Sequence, residues 1–172
     1  MKKVVWGIMA LFFSTAVWAQ KQPEYIAKPR FNIGAEFGLP TTGSYAELFT
    51  IGFGGSGKLE VPVTKTFYAT ATAGFITYYL KEGVSPTYNR SYIPLKVGGK
   101  YYFNPMIYAE GELGISIGMQ RKAGSAFVWA PGVGTSFSIA KDGYLDAGMR
   151  YEGWERSGGN LDQFALRVAY KF

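Results

Sequence analysis

Residues 163–172 read Gln-Phe-Ala-Leu-Arg-Val-Ala-Tyr-Lys-Phe, and every second position is a large apolar side chain. Phe164, Leu166, Val168, Tyr170 and Phe172 share one parity, and Gln163, Ala165, Arg167, Ala169 and Lys171 share the other. A period of two is the strand period, since successive side chains of an extended chain leave opposite faces of a sheet. Working back toward the N-terminus, the same period recurs. Leu145, Ala147, Met149 and Tyr151 oppose Asp146, Gly148, Arg150 and Glu152. Phe127, Trp129, Val133, Phe137 and Ile139 oppose Ala130, Gly132, Gly134, Ser136 and Ser138. Ile107, Ala109, Leu113, Ile115, Ile117 and Met119 oppose Tyr108, Glu110, Glu112, Gly114, Ser116 and Gly118. Ile93, Leu95, Val97, Tyr101 and Phe103 face away from Lys96, Gly98, Lys100 and Tyr102. Ile51, Phe53, Leu59 and Val61 alternate with Gly52, Gly54, Ser56, Lys58 and Glu60, and Phe31–Leu39 alternates with Asn32, Gly34, Glu36 and Gly38. Residues 67–79, rich in Ala and Thr, complete the set of eight expected strands.

The connections alternate in length. Short breaks are expected at 62–66, 104–105 and 140–143, and mostly longer loops at 40–49, 80–90, 120–125 and 153–161. Several strands reach a dozen residues, against about 5–6 for a soluble strand and about 9–11 for one that crosses a bilayer at a tilt. Pro94 and Pro131 fall inside expected strands, where a missing donor would break a closed ladder. They are expected at bulges or at strand ends near the rim that carries the long loops.

Composition narrows the chemistry. Of 172 residues, 48% are hydrophobic, 17% aromatic and 17% charged, too apolar for disorder and low in charge for an ordinary solvated surface. There is no His, which removes His-dependent hydrolysis and His-ligated zinc, and no Cys, which removes disulfides and thiolate metal sites. Residues 1–19 read as a secretory signal peptide: Lys2 and Lys3, an apolar run from Val4 to Phe13, and a small-residue site at Val17-Trp18-Ala19. Cleavage there would remove two lysines and lower the net charge from +6 to +4. Residues 20–29 form a lead-in, and 30–172 a single β domain.

The content of the two faces decides which one is inside. The apolar stripes carry no charge. The polar stripes carry Glu36, Glu60, Glu110, Glu112, Asp146 and Glu152 with Lys58, Lys96, Lys100, Arg150, Arg167 and Lys171, six of each sign among Gly, Ser, Thr and Ala. A solvated surface would favour long polar chains, whereas small residues with balanced charge suit a narrow interior in which buried charges pair. Backbone satisfaction in a bilayer then demands closure. The expected fold is all-β: an eight-stranded antiparallel transmembrane barrel with aromatic rims at Phe37, Trp129 and Tyr151 and at Phe31, Phe103 and Phe172. Tyr68, Tyr78, Tyr102 and Tyr108 fit a plug in a lumen that side chains fill at this strand number. The soluble alternative is a lipocalin-like periplasmic carrier with the apolar face inward.

The segments Ala130–Gly134 running into Phe137, Leu145–Tyr151 and Arg167–Phe172 resemble those of the small bacterial outer-membrane β-barrel domain family, the eight-stranded OmpA/OmpX-type class. That resemblance implies residence in the cell outer membrane. It also implies an assembly signal in Phe164, Leu166, Val168, Tyr170 and Phe172, read by the outer-membrane assembly machinery. The lipid-modifying enzymes that share this architecture rely on a catalytic His, which this chain lacks. Other motifs weigh little. Gly52–Gly57 matches a dinucleotide fingerprint without its helix, and Asn89-Arg90-Ser91 matches a glycosylation acceptor out of context. Glu110 and Glu112 share a face as a catalytic carboxylate pair would, but are expected to be neutralised by Lys96, Lys100 or Arg150. The expected protein is not an enzyme and takes no cofactor, metal or nucleic acid. It is a monomer in contact with outer-membrane lipids and lipopolysaccharide, whose phosphates Lys81, Arg90, Arg121 and Lys122 could meet, with four displayed loops. A narrow pore or conduit for small hydrophobic molecules is the alternative.

Overall fold

The computed structural model describes residues 28–43, 46–81, 90–120, 124–140, 143–157 and 159–172. The signal segment, most of the lead-in, Arg121 and Lys122 lie outside the described residues. Eight strands follow in chain order: β1 (Arg30–Thr42), β2 (Phe49–Pro62), β3 (Phe67–Leu80), β4 (Arg90–Tyr102), β5 (Ile107–Gly118), β6 (Ser125–Ala140), β7 (Gly143–Arg156) and β8 (Gly159–Lys171). Each pairs antiparallel with its sequence neighbours, and β8 returns to β1, from Asn32↔Lys171 to Thr42↔Asp162, closing the barrel. Closure leaves no strand with a free edge.

One rim carries the short connections 63–66, 103–106 and 141–142; we refer to it as the turn rim and to the other as the loop rim. Side-chain caps shape two of the turns. The Thr64 hydroxyl accepts from the Phe67 amide at 3.0 Å, and the Asn104 side-chain oxygen accepts from the Met106 and Ile107 amides, both at 2.8 Å. Such local bonds let Thr and Asn replace a backbone partner in a tight reversal.

Two expectations are corrected. The loop expected at 153–161 is almost all strand: β7 continues to Arg156 and β8 begins at Gly159, with the two paired as far as Arg156↔Gly159. Glycine is what disguised this stretch. A Cβ at Gly153 would collide with the Trp129 ring, so this glycine makes room for an aromatic neighbour within a strand instead of marking a loop. Neither Pro94 nor Pro131 forms a bulge or ends a strand. The register shifts lie at Pro40/Thr42, Phe49/Ile51 and Ser138/Ala140, close to the rims. Around Pro94 the β3 ladder lapses between Ala73↔Leu95 and Ile76↔Tyr92 and resumes in the same register. Around Pro131 the β7 ladder does so between Trp129↔Gly153 and Gly132↔Arg150. A proline removes one donor, and the side-chain alternation on either side holds the register through the gap.

The exterior is apolar. Ile33, Phe53, Leu95, Leu113, Ile115, Val133, Met149 and Val168 are among its exposed side chains. Aromatic pairs flank this belt: Phe37–Phe53 and Trp129–Tyr151–Phe164 on the loop side, Tyr101–Phe103 and Tyr170–Phe172 on the turn side. Such a continuous apolar surface is not stable against water at this extent, and it matches a hydrocarbon environment. Val97 lies in the belt at 64% exposure. Val97→Arg is expected to cost about 2–4 kcal/mol of folding stability in lipid vesicles, read from urea unfolding. Wild-type stability in that variant would place this face away from hydrocarbon.

Candidate functional site

The inward parity of the strands converges on the lumen, and the alternation that exposes the belt buries the charges. Glu36 comes from β1, Lys58 and Glu60 from β2, Lys96 and Lys100 from β4, and Glu110 and Glu112 from β5. Asp146, Arg150 and Glu152 come from β7, and Arg167 and Lys171 from β8. Eleven of the twelve are buried residues, and the Glu110 side chain is only 9% exposed.

Their contacts form two sets. Eight residues make one chain of alternating sign: Glu110–Lys58–Glu112–Lys96–Glu152–Arg150–Glu36–Arg167. Lys58 reaches Glu112 at 3.2 Å, Lys96 reaches Glu152 at 2.7 Å, and Arg150 Nε reaches the same Glu152 oxygen at 2.6 Å. Nearer the turn rim the other four form a closed square. Lys100 bridges Glu60 at 2.7 Å and Asp146 at 2.9 Å, and Lys171 bridges the same two at 3.5 and 3.1 Å. Arg167 joins chain to square by donating to the Asn32 oxygen at 2.6 Å, while the Asn32 amide donates to Glu60 at 3.2 Å. Each set holds equal numbers of cations and anions. Charges removed from water at a cost of several kcal/mol each are thus compensated locally.

The counterions of the Glu110/Glu112 pair differ from expectation. Lys58 bridges both, and Lys96 reaches Glu112, whereas Lys100 belongs to the square and Arg150 to the Glu36–Glu152 segment. The reason is geometric: strands tilt and stagger around a barrel, so sequence spacing does not say which side chains meet across its width.

Aromatic groups close both ends. On the turn side, Tyr108 donates to Asp146 at 2.7 Å and carries the Lys100 ammonium 3.7 Å above its ring, while Lys171 donates to the Tyr102 hydroxyl at 2.8 Å. On the loop side, Phe49, Ile76, Tyr78, Tyr92, Val128, Trp154 and Leu161 form an apolar plug. Tyr78 meets Tyr92 and Trp154 edge to face at 6.0 and 5.7 Å. The plug is tied to the charges: Trp154 and Gln163 both donate to Glu152, at 3.1 and 2.7 Å, and Tyr78 donates to Gln163 at 2.7 Å. A Cβ at Gly52 would lie 2.7 Å from the Tyr78 ring, which explains a glycine in the barrel wall there and leaves the fingerprint-like Gly52–Gly57 run inside a strand.

Sequence reasoning missed Trp154, Tyr92, Leu161 and Phe49 as lumen residues, because it expected polar groups on that face. Parity alone would have found three of them: Trp154 continues Arg150 and Glu152, Tyr92 precedes Lys96, and Leu161 precedes Gln163. Among the described residues two interior voids of about 10 Å³ each are found, one beside Lys58, Glu110 and Arg150, the other beside Phe49, Tyr92 and Trp154. Each has room for about one water molecule, and neither is a passage. The soluble-carrier alternative needs an apolar cavity, and the interior is charged and filled.

A closed antiparallel sheet with an apolar belt outside and a paired-charge lumen inside is the architecture of a small transmembrane β-barrel. Compared by sequence, the chain matches no protein-family model and no curated protein. Compared by structure, it is similar to Ail, the attachment invasion locus protein of Yersinia pestis, with a TM-score of 0.60 at 13% identity over 84% of this chain and 97% of that one. It is also similar to the outer membrane protein OprG from Pseudomonas aeruginosa, with a TM-score of 0.57 at 10% identity over 84% and 95%. A de novo designed transmembrane β-barrel matches with a TM-score of 0.51 at 12% identity over 85% and 98%. The fold is that of the small eight-stranded outer-membrane barrels.

The alternating chain makes a quantitative expectation. Lys58→Met leaves Glu110 without a counterion and is expected to cost about 3–5 kcal/mol. Glu112 keeps Lys96, so adding Glu110→Leu should recover most of that loss. Urea unfolding of both single variants and the double variant measures the coupling. Additive losses would mean that the pair is not energetically linked.

Proposed function

We propose that this chain is a non-enzymatic barrel of the bacterial outer membrane, sealed along its axis, whose role is structural or interactive and is exercised at the loop rim. The observation that carries the reading is the filled lumen: an unbroken alternation of charge from Glu110 to Arg167, stoppered by the Trp154–Tyr78 plug. Among the described residues the lumen leaves no passage of substrate size. The twelve charges serve folding, as a structural network. With the turn rim toward the periplasm, as the even strand count and short turns favour, the longer connections face outward. Lys81 and Arg90 then stand at the membrane surface, where lipopolysaccharide phosphates are the available anions. Ail, similar in fold, is named for attachment, which suits a surface-contact role.

We further assign the terminal stripe Phe164, Leu166, Val168, Tyr170 and Phe172 to recognition by the assembly machinery. All five are exposed on the outer wall, where a partner can read them before insertion.

The test joins fractionation to conductance. The unboiled protein in the outer-membrane fraction should migrate faster in SDS than the boiled one, and the purified barrel in planar bilayers should show no reproducible current steps. Steps that persist in a homogeneous preparation would favour the conduit. A protein that purifies without detergent would remove the membrane reading. Removing Phe172 should lower the amount of heat-modifiable protein in the membrane, and unchanged assembly would count against the signal.

A further inference from the structure

The apolar belt is uneven. Two neighbouring rows of outward side chains cross β1 to β5: Phe31, Leu59, Ala71, Val97 and Leu113 in one, and Ile33, Gly57, Ala73, Leu95 and Ile115 in the next. Gly57, Ala71 and Ala73 are low ground between larger neighbours, and the wall dips there into a groove of about 550 Å³. That volume lies within the roughly 300–1,000 Å³ range of small-molecule sites. Elsewhere on the wall the protein covers its own small residues: the rings of Phe67 and Trp129 lie over Gly99 and Gly153, so closely that a Cβ on either glycine would collide. Ala71 and Ala73 remain exposed.

The groove also has a direction. Phe31 is the second residue of β1, at the turn rim, whereas Leu113 lies in the middle of β5, halfway up the wall. Four strand spacings of about 4.8 Å, inclined by a tilt of about 35–45°, raise the groove about 12 Å along the membrane normal. This is most of one leaflet of a hydrocarbon core about 30 Å thick.

We propose that the groove holds one acyl chain of a phospholipid, with the headgroup at the turn rim and the chain end at the middle of the bilayer. The groove is continuous with the belt that faces hydrocarbon, so acyl chains are the material that meets it. A chain lying there has carbon neighbours beneath it and on both flanks, whereas on the convex wall elsewhere it touches the protein along one side. Such contacts are individually small and add along the chain. A second barrel fits the groove poorly, because two convex walls meet along a narrow line, short of the roughly 1,200–2,000 Å² that a stable protein pair buries. Naming a phospholipid rests on the turn rim facing the periplasm, as proposed above; the acyl chain itself requires only a bilayer.

The full chain is folded into phosphatidylcholine vesicles containing a fraction of lipid with a mid-chain diazirine, irradiated, and digested for mass spectrometry. Residues of one type are compared across the barrel: Val97 in the groove with Val133, and Leu113 with Leu166, all four exposed. Labelling in the groove should exceed that on the far wall at least about fivefold, the effect of roughly ten added carbon contacts. Ala71→Leu combined with Ala73→Leu fills the floor and should bring Val97 and Leu113 down to the far-wall level. Ala147→Leu, on β7, should leave the excess in place, and the unboiled gel shift verifies that each variant is folded. Even labelling around the wild-type belt, or an excess that survives the filled floor, would overturn the proposal. So would a cross-linked dimer that the filled floor abolishes, which would assign the groove to a second copy. The readout depends neither on conductance nor on orientation in the cell, so its failure is distinguishable from failure of the proposed role.

Discussion

The whole structure depends on cancelling twelve charges inside a tube about two side chains wide. A lysine or carboxylate there has no water shell to fall back on, and a lone one costs several kcal/mol. The chain from Glu110 to Arg167 meets this by alternation: every inner member touches an opposite charge on each side, so no like charges need be neighbours along it. The square around Lys100 and Lys171 achieves the same with two cations and two anions in a ring. These partners come from six of the eight strands, so the network closes only when the strands are correctly paired.

That dependence makes charge a guardian of register. In β8, a slip of one residue would move Arg167 and Lys171 into the outer wall and bring Leu166, Val168 and Tyr170 into the lumen. A cation so displaced costs from about 1 kcal/mol at the rim, where Lys171 lies, up to about 2–4 kcal/mol at mid-bilayer, and its former carboxylates lose their partners as well. A lumen packed with leucine would give much weaker discrimination between inside and outside, because hydrocarbon lies on the other face. The small residues have the complementary task. Gly52 clears the Tyr78 ring, and Ser56 both donates to Glu36 and accepts from Arg167 at 2.8 Å.

Much of this was legible in the alternation itself. The parity of Phe31 through Leu39, of Ile107 through Met119 and of Phe164 through Phe172 separates the two faces, since a strand has only two. The identity of the ion pairs was not legible, because Lys58 meets Glu110 across fifty-two positions of sequence and only the tilt of the strands brings them together. Composition misled in one place. Gly153 and the Ser157–Asn160 run have loop chemistry, yet Gly153 serves Trp129 within a strand and Gly159 and Asn160 already belong to β8. The prolines misled by a local rule: a lost donor interrupts one ladder for two residues, and the alternation around it preserves the register.

The two ends of the lumen are built differently, and the difference bears on where this protein can act. At the loop rim the ion-pair network stops beneath an aromatic layer in which Tyr78, Tyr92 and Trp154 pack edge to face, and Arg156 donates to the Tyr92 hydroxyl at 3.4 Å. Rearranging those connections need not disturb Glu152, whose second oxygen is already held by Trp154 and Gln163. At the turn rim the charges run almost to the mouth, and Lys171 and Arg30 both border the Tyr144 ring, at 5.8 and 5.0 Å. Chain and square communicate through Arg167, Asn32 and Glu60, a narrow link of two hydrogen bonds. Among the described residues the two ends of the lumen are thereby joined by these two hydrogen bonds and by no shared ion pair.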